Sequence, residues 1–240
     1  MRREREELRS LPARFGEMNV LDLLGLEGWE HYGAFVPKTL FWGEGTMTFS
    51  SYLAGLVAAS GMKPIFVDGA NGFDPYIVSR FARRHSLTPT HLLKEIVIAR
   101  AFTCYQLSTL VRERLEEMIH PQRNQVAIIL GPVTTLLDED VPDREVNLLF
   151  RGMLEKLEDL NPKGLPFLLM QPPVPPRSRR GHLLKRLFRW SDMVVRTMNE
   201  EGKLRLVLER PLKTGEREKL PGSQRLSLRE MGTAEGDIRG

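Results

Sequence analysis

The stretch Thr39–Ala58, TLFWGEGTMTFSSYLAGLVA, decides how the rest of the chain is read. Leu40, Phe41 and Trp42 form an apolar run, Gly43 and Gly45 make a turn, and an apolar helix is expected over Tyr52–Ala58. Strand, glycine turn, helix is the layout in which backbone N–H groups and a helix N-terminus face a phosphate. The pattern G-x-x-x-x-G-K-[ST] puts Gly43 first and Ser50 last. Thr48 then stands where the second glycine belongs, and Phe49 where the lysine belongs. The stretch Gly43, Glu44, Gly45, Thr48, Phe49 and Ser50 is therefore either a vestigial nucleotide loop without its cation or a chance match, and the rest of the chain has to decide between them.

Moving outward, short apolar runs alternate with amphipathic stretches. Strands are expected at Lys63–Asp68, Ile96–Ala101, Gln125–Leu130 and Pro166–Met170, all read as buried. Helices are expected over Tyr76–His85, opened by Pro75, and over Thr90–Ile96, Tyr105–Met118 and Asp143–Leu160. Asp192–Thr197 and Lys203–Glu209 read as a closing hairpin turned at Asn199–Gly202, with one more edge strand at Arg225–Leu228. The alternation predicts an α/β fold: a mostly parallel central sheet flanked by helices, ending in a C-terminal β-hairpin. Residues 1–20 read as a charged arm, 21–210 as the core domain, and 211–240 as a polar, mobile tail.

Composition narrows the classes. At 240 residues and 41% hydrophobic, the chain suits one globular domain. No apolar run is long enough for a membrane span, and MRREREELRS is no signal peptide. Cys104 is the lone cysteine, which excludes an internal disulfide and fits a cytoplasmic location. The histidines His31, His85, His91, His120 and His182 lack metal-ligand spacing, and no metal site is expected. The net charge of +4 mildly favours an anionic partner.

Taken together, separated stretches resemble the core of the RecA/RadA recombinase family, especially its archaeal RadA type. LDLLGLEG (from Leu21), WGEGTMTFS (from Trp42), IFVDGANGFDP (from Ile65), FARRHSLTPTHLLKEIVIARAFT (from Phe81), VAIILGPVTTLL (from Val126), FLLMQPPV (from Phe167) and WSDMVVRTMNEEGKLRLVLERP (from Trp190) follow one another in the family's order. The resemblance implies a RecA-like P-loop NTPase fold over roughly residues 21–210. It also implies what has been lost. The family's phosphate-loop Lys falls on Phe49, its catalytic Glu on Ala70 and its magnesium-holding Asp on Gly131. Phosphoryl transfer rests on positioning and charge stabilisation, so losing all three groups implies a pseudo-ATPase with no catalytic residue. No cofactor is expected; ATP with magnesium is the candidate to test.

The positive feature is Gln171–Trp190, QPPVPPRSRRGHLLKRLFRW. Arg177, Arg179, Arg180, Lys185, Arg186 and Arg189 lie in it, with no acidic residue between Asp159 and Asp192. Such a cluster attracts a nucleic acid backbone, and the resemblance places it where the family has its second DNA loop. The bland reading is a solvated helix whose arginines pair with Glu155, Glu158 and Asp159; an acidic protein is a third. The family's first DNA loop falls on Leu137–Glu145, which is acidic here. Phe15–Met18, FGEM, lacks the Ala of the family's Phe-x-x-Ala joining segment. The expectation is a non-catalytic accessory of DNA recombination or repair that binds DNA, a recombinase partner, or itself. The alternatives are a divergent ATPase completed by a neighbouring protomer and a purely structural interaction subunit.

Overall fold

A computed structural model describes residues 38–118, 125–160, 166–200, 203–210 and 225–226. The elements are β1 (Thr39–Gly43), α1 (Thr46–Ala59), β2 (Lys63–Asp68), α2 (Pro75–Arg84), α3 (Pro89–Glu95) and β3 (Val97–Arg100). Next comes α4 (Cys104–Thr109), which runs through a π turn (Leu110–Arg114) into α5 (Leu115–Glu117). β4 (Gln125–Leu130), a 3-10 turn (Thr134–Leu137), α6 (Asp143–Leu160), β5 (Phe167–Gln171), α7 (Gly181–Trp190), β6 (Met193–Glu200), β7 (Lys203–Arg210) and β8 (Arg225–Leu226) complete the order.

The strands form one sheet in the order β3-β2-β4-β5-β1-β6-β7-β8. Pairings from β3 through to β6 are parallel, and those of β6 with β7 and β7 with β8 are antiparallel. Successive side chains of a strand point to opposite faces, and the core divides accordingly. Phe41, Phe66, Ile128 and Leu168 pack under α1, α2 and α3 with Phe49, Leu53, Val57 and Phe81. Leu40, Ile65, Ile129 and Leu169 pack on the other face with Leu107, Val111, Phe150, Leu157, Leu183 and Leu187. Both faces of β2, β4 and β5 are covered, which is why their sequences are apolar without alternation.

Local chemistry sets the helix starts. Asp74 caps α2 by accepting from the Tyr76 N–H at 2.8 Å, with Pro75 in the first turn. Thr103 and Gln106 form a reciprocal capping box on α4.

The expected α/β architecture, parallel sheet and closing hairpin are present. Three boundaries differ. The first helix starts at Thr46 rather than Tyr52. The strand at Val97–Arg100 is an exposed edge, not a buried strand: β3 pairs only with β2 among the described residues, and Val97 and Ile98 are 43% and 44% exposed. β6 continues to Glu200, which shortens the hairpin turn. The expected arm, the Leu21–Leu26 patch, the Phe15–Met18 segment and most of the tail lie outside the described residues.

Candidate functional site

In a parallel sheet the carboxyl ends of the strands are where ligands bind. That edge gathers Gly43–Gly45 after β1, Asp68–Ala70 after β2, Gly131–Thr134 after β4, Gln171 ending β5, and Thr197 on β6 beside Gly43. Gly45 opens α1 in the left-handed conformation, φ 77°, which glycine adopts at little cost. The Phe49 N–H already donates to the Gly45 carbonyl at 2.9 Å, so the helix is formed from its first turn. The connection from strand to helix is only Glu44 and Gly45.

This geometry corrects the reading of Gly43–Ser50 as one loop. Thr48, Phe49 and Ser50 belong to α1. Phe49 is fully buried, edge-on to Phe41 with ring centroids 5.3 Å apart. Ser50 turns its hydroxyl back to the Met47 carbonyl at 2.7 Å. A phosphate loop places its lysine directly after the glycine that opens the helix; here that place is held by Thr46, and Met47 follows. Counting back from Gly45 puts Leu40, inside β1, at the first glycine's position. Neither register contains the lysine.

The space around the turn is filled by neighbours. The Thr46 and Thr197 hydroxyls lie 2.8 Å apart and serve the Gly43 carbonyl (2.5 Å from Thr46) and the Trp42 carbonyl (3.1 Å from Thr197). Any side chain on Gly43 would collide with the Thr197 carbonyl oxygen, and one on Gly45 would meet Leu204 Cδ1 at 2.8 Å. The Met47 side chain reaches Gly72: a Cβ there would lie 2.6 Å from Met47 Cε.

The two positions that the resemblance assigns to acidic groups face each other. Gly131 has φ 71°, and a Cβ added to it would lie 2.7 Å from Ala70 Cβ, 2.8 Å from Thr134 Oγ1 and 2.9 Å from Ala70 N. A carboxylate on Gly131 does not fit this arrangement. Asp68 is fully buried and fully used. It pairs with Arg100 Nε at 3.2 Å and accepts the N–H groups of Gly72 (2.9 Å) and Phe73 (3.1 Å), shaping the 69–74 turn. Gln171, also buried, accepts from the Val133 N–H at 2.9 Å and holds the turn after β4. Gln171 was visible as the polar end of an apolar run, PFLLMQ; Thr197 carried no sequence signal, because only the sheet register sets it beside Gly43.

The residues do not fit ATP–Mg as the RecA/RadA resemblance would have it. Among the described residues no lysine or arginine stands in the first turn of α1, and there is no room for a carboxylate at Gly131. One feature runs the other way: Gly45 supplies no side-chain cap, so the N–H groups of the first turn of α1 keep their partial positive charge.

The basic segment is divided by its surroundings. Arg180 is 1% exposed. Its Nε donates to Asp143 Oδ1 at 3.0 Å, one terminal nitrogen donates to the carbonyls of Leu136 (2.9 Å) and Asp138, and the other to that of Val141. This corrects its placement among the DNA-facing cations: Arg180 is a strap for the acidic loop. Arg179 reaches the same Asp143 oxygen at 3.2 Å while remaining exposed. Arg186 is half-buried over the Phe150 ring at 5.6 Å. Arg177, Lys185 and Arg189 are exposed. The acidic counterpart of Arg179 and Arg180 is therefore Asp143, and Glu158 pairs with Lys38 at 3.3 Å. The Arg180 guanidinium, joined by Arg179, holds the Asp143 carboxyl below the usual carboxylate range against the opposing effect of desolvation.

Trp42 is half-buried between Phe188 (centroids 5.0 Å apart) and Arg196 (5.2 Å), and its indole N–H donates to Glu209 at 2.8 Å, so it is built into the domain. Cys104 is buried, and burial pushes its thiol pKa up, away from thiolate reactivity. Among the described residues no group of His, Cys, Asp and Glu side chains is placed to hold a metal ion. No helix among them is long and apolar enough to cross a membrane.

A parallel sheet with helices on both faces, a glycine turn from β1 into α1 and an antiparallel hairpin at one end define a RecA-like α/β domain. Residues 45–148, from the cap of α1 into α6, match the family model described as Rad51, which supports a RecA/RadA-family core domain over that span. The match supports, in general terms, a RecA-family protein of recombination or repair. A comparison with curated proteins finds no match.

Proposed function

We propose that the protein is a non-catalytic RecA/RadA-type accessory in DNA recombination or repair, working by binding DNA, a recombinase-like partner, or both. The observation that carries this reading is the close approach of Gly131 and Ala70: phosphoryl transfer would need an acid at this edge, and a Cβ on Gly131 would lie 2.7 Å from that of Ala70. Arg177 and Lys185 remain exposed on a segment that has no acidic residue in its own sequence, which supports contact with a phosphate backbone. The edge of β3, unpaired on its far side among the described residues and with Val97, Ile98 and nearby Phe102 exposed, supports a protein partner that pairs with the sheet.

The second reading is a divergent ATPase completed by a neighbouring protomer, and the uncapped N-terminus of α1 is the observation that favours it. Binding of single- and double-stranded DNA across a salt series, with and without ATP–Mg, separates the readings. The accessory reading expects salt-dependent DNA affinity that ATP–Mg leaves unchanged. Affinity that appears only with ATP–Mg overturns it in favour of the ATPase. Absence of DNA binding at every salt leaves partner binding to carry the function.

A further inference from the structure

We infer that the acidic loop from Asp138 to Asp143, strapped in place by Arg180, is a built-in competitor for the nucleic acid that the neighbouring basic segment attracts. The inference rests on the DNA reading of that segment and adds what limits it. The loop and the segment lie far apart in sequence, yet Arg180 fastens one to the other through the carbonyls of Leu136, Asp138 and Val141 and the Asp143 carboxylate. Val141 is buried beneath the loop. Asp138, Glu139 and Asp140, all exposed, therefore lie on a loop whose backbone is fastened to Arg180 rather than free to swing away. Arg179 shows the competition directly: its guanidinium, exposed and otherwise suited to phosphate, is occupied by Asp143 at 3.2 Å.

A nucleic acid reaching Arg177 and Arg179 must displace the Arg179–Asp143 pair and accept the repulsion of the three carboxylates behind it. Both terms are electrostatic and only partly screened within ~10 Å at moderate salt. The loop then lowers affinity for any nucleic acid that presents phosphates alone, and does so through charge rather than shape.

The test compares the full chain with a variant carrying Asp138→Asn, Glu139→Gln and Asp140→Asn. All three side chains are exposed, and the Arg180 strap on carbonyls and Asp143 is kept. Affinity for a fluorescein-labelled oligo-dT is measured by anisotropy over a salt series. The inference expects the variant to bind roughly tenfold tighter at ~50 mM salt, with the gap closing as salt rises. Equal affinities in the two proteins overturn the inference and leave the DNA reading standing. No binding by either protein at low salt overturns both. Circular dichroism spectra and melting temperatures that agree between the two proteins establish that a difference in affinity is not a difference in folding.

Discussion

Gly131 and Ala70 close on each other across the carboxyl ends of neighbouring strands: a Cβ on Gly131 would lie 2.7 Å from that of Ala70. Gly131 also sits at φ 71°, where a side chain is strained. Restoring an acid by Gly131→Asp should therefore cost about 2–4 kcal/mol and confer no ATP hydrolysis. The urea midpoint and a phosphate-release assay measure the two outcomes. Adding Ala70→Gly removes one of the colliding atoms, so the double variant should recover part of the loss. A neutral Gly131→Asp would mean the edge is not packed as described.

Arg180 serves three carbonyls and one carboxylate from within the domain, so its removal leaves the three carbonyls without this donor, while exposed Asp143 keeps Arg179. Arg180→Met should destabilise by about 3–5 kcal/mol, the scale for breaking a buried charged network by removing one partner. Arg180→Lys should not rescue it, since an ammonium group lacks the planar fork. Arg177→Ala, at an exposed position, should stay within about 0.5 kcal/mol of wild type. Thermal denaturation of the three variants gives the ranking, and protease cutting should appear near 136–143 in the Arg180 variants only.

The same network sets an acid limit. Because the folded state holds the Asp143 carboxyl below its ordinary value, the unfolded chain takes up its proton first as pH falls. The contribution of Asp143 is fully present above about pH 4, the unfolded value, and is lost as pH falls through the lower folded one. The stability gap between wild type and Asp143→Asn should be constant from neutral pH down to about pH 5 and shrink below about pH 4. Denaturation midpoints across that range test it; a gap that widens with acid would contradict the pairing.

Phe49 distinguishes a loop from a helix. As a core residue against Phe41, Phe49→Ala should cost about 3–5 kcal/mol. Phe49→Lys should be at least as damaging and should create no nucleotide affinity, because the position points into the apolar core. A loop residue would tolerate both changes, and chemical denaturation of the two variants decides.

The architecture was legible because its signals are local. Apolar runs such as KPIFVD and QVAIIL, the Asp74–Pro75 start and the amphipathic period of Asp143–Leu160 each specify their own element. The site was legible only in part. The family order set Ala70 and Gly131 at the positions that the resemblance assigns to acids, but the pattern G-x-x-x-x-G-K-[ST] was stretched over residues that belong to the helix. Helix propensity in TMTFSS is modest; burial of Phe49 and Leu53 decides it. Likewise Arg180 looked like its neighbours in a basic run. Only the return of the 136–143 loop against it makes it a buried strap, and nothing in SRRGH announces that. The edge position of β3 was hidden for the opposite reason: IVIARA has the composition of a buried strand but has no neighbour on its far side among the described residues.

The most direct measurement is a calorimetric titration of the full chain with ATP–Mg, run beside a phosphate-release assay with and without DNA. A domain whose β1–α1 connection is only Glu44 and Gly45, and whose Gly131 has no room for a side chain beside Ala70, should give no binding heat and no turnover above background. Micromolar affinity for ATP, or turnover stimulated by DNA, would contradict the account.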